Sequence, residues 1–131
     1  KILTIKKRAD FINVQNNYEK KIITQNLIVL CKKTEEKYTK ITEKKRLTEF
    51  IRIGLTVTKK IDKRAVIRNR IKRLLREINR NLMKNHEDLY NNHIDYEFIA
   101  KKNIIDCKYA ALFKEVEYSI KNLKIGEENG K

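Results

Sequence analysis

Residues Arg64 to Arg80 read RAVIRNRIKRLLREINR, with six arginines, one lysine and one glutamate. A guanidinium presents a planar fork of N–H donors that matches phosphate, and it stacks on bases. Elsewhere the chain uses lysine freely, so this concentration of arginine is not background composition. The chemistry it suggests is recognition of a polyanion. A protein-borne hydrolytic centre has thinner support. Ser119 is the one serine, and its position reads as mid-helix. His86 and His93 flank a turn and lack a third ligand at useful spacing. The run His86-Glu87-Asp88 invites a nuclease metal site, but acids there more simply lighten a basic surface.

The elements must position those arginines. At 100° per residue, Ile67, Ile71, Leu74, Leu75, Ile78 and Leu82 fall on one arc of roughly 100°. That arc predicts the core face of a helix over 64–84. Arg68, Lys72 and Arg76 form a row beside it. Asn69, Arg73 and Arg80 form a second row on the solvent side, and Arg70 lies on the opposite flank. Like charges four apart disfavour an isolated helix, and only Glu77 interleaves them. Such a helix is read as packed on a sheet with its outer face toward phosphates. A membrane helix would need an apolar face with nothing to cover it. A helix-turn-helix would need a preceding helix, whereas a strand and KKIDK precede this one.

The rest of the composition agrees. The 131 residues carry a net charge of +15, from 32 Lys and Arg against 17 Asp and Glu. Such an excess costs self-repulsion unless a polyanion partners it. No apolar run is long enough to span a bilayer, and no segment has the zones of a secretory signal. Cys31 and Cys107 are too far apart in sequence for a zinc motif, and reduced thiols in a cytoplasmic protein are expected.

One domain over 1–131 is expected. Phe11, Val14 and Tyr18 share a face of a short helix over 8–18. Residues 22–31 read as one bent strand or two short ones. The charged stretch 32–47 reads as a loop. In 50–58, Ile51, Ile53, Leu55 and Val57 alternate with Phe50, Arg52, Gly54, Thr56 and Thr58, which predicts a strand whose second face is exposed or lines a groove. Residues 96–100 read as a strand. A helix over 106–123 would bury Ala110, Phe113, Val116, Ile120 and Leu123, with Asp106 as its cap. Residues 125–131 read as a frayed tail. The order predicts an α+β (α/β) two-layer sandwich, with helices on a sheet of about four strands.

From Gly54 to Glu77, GLTVTKKIDKRAVIRNRIKRLLRE, the sequence resembles the protein subunits of bacterial ribonuclease P. That family carries a strand ending in Ser/Thr-Lys-Lys, a short turn, and Ala-Val-x-Arg-Asn-Arg-x-Lys-Arg-x-x-Arg. Thr58-Lys59-Lys60, Ala65-Val66, Arg68-Asn69-Arg70, Lys72-Arg73 and Arg76 fill this pattern. Asp10, Phe11 and Val14 match its Asp-Phe-x-x-Val, again after basic residues. The order of elements agrees from about Lys6 to Leu123.

The resemblance implies a β-α-β crossover of left-handed sense, against the general rule. It also implies an endoribonuclease whose catalyst is a large RNA. That enzyme removes the 5′ leader of precursor tRNA with Mg2+ ions held by the RNA. No cofactor and no catalytic residue is expected on the protein. Lys59, Lys60, Arg64, Arg68, Asn69, Arg70, Lys72, Arg73 and Arg76 are assigned to the catalytic RNA. Phe11, Arg8, Arg52 and Tyr18 are assigned to a leader cleft between sheet and helix. A monomer bound one-to-one to the RNA is expected. The sequence departs from the family in three places. The turn Asp62-Lys63-Arg64 is one residue longer than the usual Gly-Asn. The segment after Lys32 is longer. Gln15 and Val29 or Leu30 stand where the family carries aromatics, which leaves leader stacking mainly to Phe11. The competing readings are a general RNA-binding or ribosomal-type protein and a basic DNA-binding protein.

Overall fold

Alternating side chains build the sheet, and its two faces are covered by different helices. The computed structural model describes residues 1–124. Its elements are β1 (Ile2–Thr4), α1 (Arg8–Asn17), β2 (Lys20–Ile23), β3 (Leu27–Lys33), α2 (Glu36–Lys44), β4 (Ile51–Thr56), α3 (Ala65–Asn85), β5 (Ile94–Ala100) and α4 (Tyr109–Asn122). Short 3-10 turns cover Glu87–Leu89 and Lys102–Asp106. The strands form one sheet in the order β1-β4-β5-β3-β2. β4 runs parallel to β1 and β5, while β3 runs antiparallel to β5 and β2. Helix α3 joins the adjacent parallel strands β4 and β5, the connection to which the resemblance assigns the left-handed sense.

The mixed α+β reading holds, with two refinements. The sheet has five strands rather than about four. The extra one, β1, pairs only Ile2–Thr4 with Ile51–Ile53, too short a run to show a period in sequence. The helices also divide between the faces. Ile51, Ile53, Tyr96, Phe98, Leu27, Val29 and Cys31 meet α3 and α4 in the main core. Leu30, with Ile28 and Ile99 at its margin, meets Ile5, Val14 and Phe11 beneath α1 in a smaller one. Burial on both faces explains why β3 reads as a nearly unbroken apolar run.

Helix α3 buries Ile71, Leu75, Ile78 and Leu82, with Ile67 and Leu74 at the margin. Each such side chain contributes ~1.5–3 kcal/mol by leaving water. Helix α4 differs from its sequence reading. Residues 102–106 form their own 3-10 turn, so the helix starts at Tyr109 with Lys108 at the cap position, and Asp106 caps nothing. The buried face is Leu112, Val116, Ser119 and Ile120, while Ala110 is exposed and Phe113 half-buried.

Residues 32–47 are not a loop. Lys32 and Lys33 complete β3, and α2 follows. The helix buries no residue completely, and only Tyr38 and Ile41 in it are large and apolar, too few to mark a core stripe in the sequence. Local bonds shape it instead. Lys40 sits 3.8 Å from Glu36. At its end the Leu47 N–H donates to the Thr42 carbonyl and the Arg46 N–H to that of Glu43. This is a Schellman stop, with Arg46 (φ 63°) where glycine is usual. The tail at 125–131 lies outside the described residues.

Candidate nucleic-acid interface

The turn between β4 and α3 arranges the first cations. The Ile61 N–H donates to the Thr58 carbonyl at 3.0 Å, which leaves Lys59 and Lys60 exposed at the tip. Asp62 then shapes the turn that leads into the helix. Its Oδ1 accepts the Arg64 backbone N–H at 2.8 Å. The Arg64 guanidinium forks onto both of its oxygens at 2.9 and 2.8 Å. Those hydrogen bonds hold the Asp62 carboxyl down at about 2. Arg68 reaches back to the carbonyls of Asp62 and Lys63 at 3.0 and 2.8 Å. Arg64 and Arg68 are therefore held by the turn that precedes the helix.

Along α3 the cations separate into two groups. Lys72, Arg76, Arg80 and Lys84, spaced four apart, line a cleft of about 840 Å³. Lys1 and Lys6 line it too, and Phe11, Leu55 and Met83 supply apolar wall. Asn69, Arg70 and Arg73 lie exposed outside the cleft, as do Lys59, Lys60 and Arg64. Arg80 thus belongs with Arg76, not with the row of Asn69 and Arg73. Among the described residues, no cation within α3 has a carboxylate at salt-bridge distance. The cleft residues that the sequence reading did not place there are Lys1, Lys6, Arg80 and Lys84. The spacing of 72, 76, 80 and 84 could have signalled two of them. Lys1 and Lys6 arrive through the pairing of β1, which no local pattern announces.

The four residues expected in the leader cleft do not converge. Phe11 lies against the β4 backbone at Gly54, where a Cβ atom would stand 2.6 Å from its Cε1. Glycine is what permits that approach. Arg8 is exposed at the start of α1. Tyr18 follows the far end of the helix, 40% exposed, with the Lys21 ammonium 5.5 Å from its ring centre. It is not among the residues lining the cleft. Arg52 is the clear correction. The second face of β4 is neither exposed nor a groove wall there, because α1 and α2 cover it. Arg52 is 6% exposed. It pairs with Asp10 at 3.2 Å and Asp95 at 3.6 Å, and its guanidinium lies 4.1 Å from the ring centre of Tyr38. Tyr38 donates its hydroxyl to Asp10, and Thr34 donates to Asp95 at 2.7 Å. These partners remove the cost of an unpaired buried charge.

The same face holds two buried carboxylates. Burial raises Asp95, opposed by the Thr34 hydroxyl and by Arg52. Burial raises Glu97 likewise, opposed by hydrogen bonds from Thr56 at 2.6 Å and Gln15 at 2.9 Å. Both donors use Glu97 Oε2, and Oε1 is buried with no partner among the described residues. Gln15 thus bonds to the sheet rather than offering a stacking face, and Val29 points into the main core.

Cys31 and Cys107 are free, and burial pushes the Cys31 thiol up to about 11. Among the described residues, no group of three or more His, Cys, Asp or Glu side chains could hold a metal ion. No helix among them is long and apolar enough to cross a membrane.

Comparison with known proteins gives a consistent answer. The ribonuclease P family model matches residues 1–124. The ribonuclease P protein component of Fusobacterium nucleatum is 35% identical over 127 residues, covering 93% of this chain and 97% of that protein. The corresponding protein of Marinomonas is 32% identical, covering 83% of this chain and 70% of its own. The Staphylococcus aureus RNase P protein superimposes with a TM-score of 0.70 at 25% identity, over 95% of this chain and 98% of the other. The Thermotoga maritima protein shares the fold with a TM-score of 0.70 at 18% identity, over 92% and 97% of the two chains. The chain therefore belongs to the ribonuclease P protein family.

Proposed function

We propose that this protein binds the catalytic RNA of ribonuclease P and the 5′ leader of precursor tRNA, and so assists removal of the leader. The observation that carries this reading is the face of α3, where cations without acidic partners run from an exposed surface into a cleft bordered by Phe11. The exposed group of Lys59, Lys60, Arg64, Asn69, Arg70 and Arg73 suits a rigid phosphate backbone, with Arg68 buttressing it. The cleft suits a single strand, with phosphates on Lys72, Arg76 and Arg80 and a base against Phe11. Arg8 extends it at the start of α1. In this reading Arg52 and Tyr18 lie outside the leader path. Mg2+ and the hydrolytic step belong to the RNA, the complex is one-to-one, and it works in the cytoplasm.

Reconstitution tests the reading. A bacterial ribonuclease P RNA at low Mg2+ should cleave precursor tRNA faster when the protein is added. Arg70→Ala with Arg73→Ala should weaken assembly at least tenfold, since each lost phosphate contact removes a charge-assisted hydrogen bond. Absence of stimulation by the unaltered protein would reject the reading in favour of a general RNA-binding protein. Phe11→Ala should weaken holoenzyme binding of leader-bearing precursor more than that of mature tRNA, by ~1–3 kcal/mol for one lost stack. Equal losses on the two ligands would remove Phe11 from the leader site.

A further inference from the structure

Asp62 is the one acid between Thr58 and Arg76, in a segment otherwise rich in cations. It does more than fix the turn, because both of its oxygens engage the Arg64 fork. Among the described residues Arg64 is also the one cation of this surface with a carboxylate partner. The Arg64 side chain is 67% exposed and that of Asp62 only 10%. The cation thus faces solvent while the acid lies behind it. A carboxylate and a phosphate offer a guanidinium the same pair of oxygens.

We propose that Asp62 is an internal stand-in for phosphate, which holds Arg64 in binding geometry and lowers the affinity of this surface for unstructured RNA. The inference rests on the RNA-binding reading above and makes Asp62 a specificity-determining residue. A phosphate reaching Arg64 must displace the carboxylate from the fork or sit beside its charge. Either weakens binding. A flexible strand gains little from Arg64 on those terms. A folded RNA already held on Arg70 and Arg73 delivers its next phosphate at high effective concentration and can complete the exchange. The carboxyl stays ionised wherever RNA is folded, because its pKa is held at about 2. The brake is therefore constant rather than a pH switch.

Asp62→Asn keeps an oxygen for the Arg64 N–H and removes the charge. Fluorescence anisotropy of the full chain on oligouridylate should show about two- to fivefold tighter binding, the range set by an exposed ion pair. Its log–log salt slope should steepen by up to ~0.7, one phosphate's worth. Binding to a bacterial ribonuclease P RNA should tighten less. In an Arg64→Ala background the same change should have no effect. Unchanged or weaker oligouridylate binding, or a gain that persists without Arg64, would overturn the proposal. Asp62→Ser also keeps a side-chain oxygen for the turn and lacks the charge, and it serves if the melting temperature shows that Asn disturbs the turn. Loss of the ribonuclease P reading would show as failure to stimulate the catalytic RNA, a separate measurement from these oligouridylate titrations.

Discussion

Glu97 carries an unusual load for a residue with none of its surface exposed. Two donors share one of its oxygens and the other has no partner among the described residues. Burial raises its pKa above the ordinary 4.5. A carboxyl raised on folding adds stability that is complete below the unfolded value and lost as pH rises through the folded one. At neutral pH the buried charge therefore opposes the fold. Glu97→Gln keeps the shape and removes the charge. It should stabilise the protein by ~1 kcal/mol at pH 7, with the advantage gone at pH 4. Urea unfolding at the two pH values measures this. A difference that does not change with pH would refute the argument. The neighbouring Arg52 shows the limit of single-residue reasoning. Its type on a polar strand face suggested a cleft residue, because its acids lie 42 and 43 positions away, at Asp10 and Asp95.

At the scale of the element, α2 is held to the body through one side chain more than any other. Tyr38 stacks on Arg52 and donates to Asp10, and that bond is the first cause of its raised pKa. Through Asp10 the contact reaches α1, the helix that carries Phe11. Tyr38→Phe keeps the ring over Arg52 and deletes the bond to a charged acceptor, which should cost ~1–2 kcal/mol. Hydrogen exchange should quicken in α2 and the first turn of α1, with oligouridylate affinity unchanged. Exchange that rises evenly through the sheet would mean the contact supports the whole fold instead. Elements with an apolar stripe were legible in sequence. The α3 face from Ile67 to Leu82 and the alternation of Ile51, Ile53 and Leu55 both stand. Helix α2 and strand β1 were not legible, since one has no buried stripe and the other has only three residues.

The whole molecule carries a net charge of +15, and α3 brings much of it to one side. Raising NaCl shortens the Debye length to ~10 Å at 0.1 M. The melting temperature should therefore rise from low to moderate salt as self-repulsion is screened. RNA affinity should fall over the same range, by ~0.7 in log–log slope for each single-strand phosphate engaged. Parallel thermal melts and anisotropy titrations would check the two opposite trends. A melting temperature that ignores salt would show that the cations repel one another less than their number implies.

Some features of this protein follow from sequence because they are local. The core face of α3 is set by a period of 3.6. The arginine-rich surface is set by residue type, and the family by the spacing of Thr58-Lys59-Lys60 and Arg68-Asn69-Arg70. The tertiary structure decided what depends on contacts between distant segments. It assigned Arg52 to Asp10 and Asp95, set Phe11 on Gly54, and brought Lys1 and Lys6 into one cleft with Arg76 and Arg80. A charged side chain can be paired, buried or free at the same place in a local pattern. Which state it takes is fixed by the electrostatics of segments that meet only once the sheet has formed.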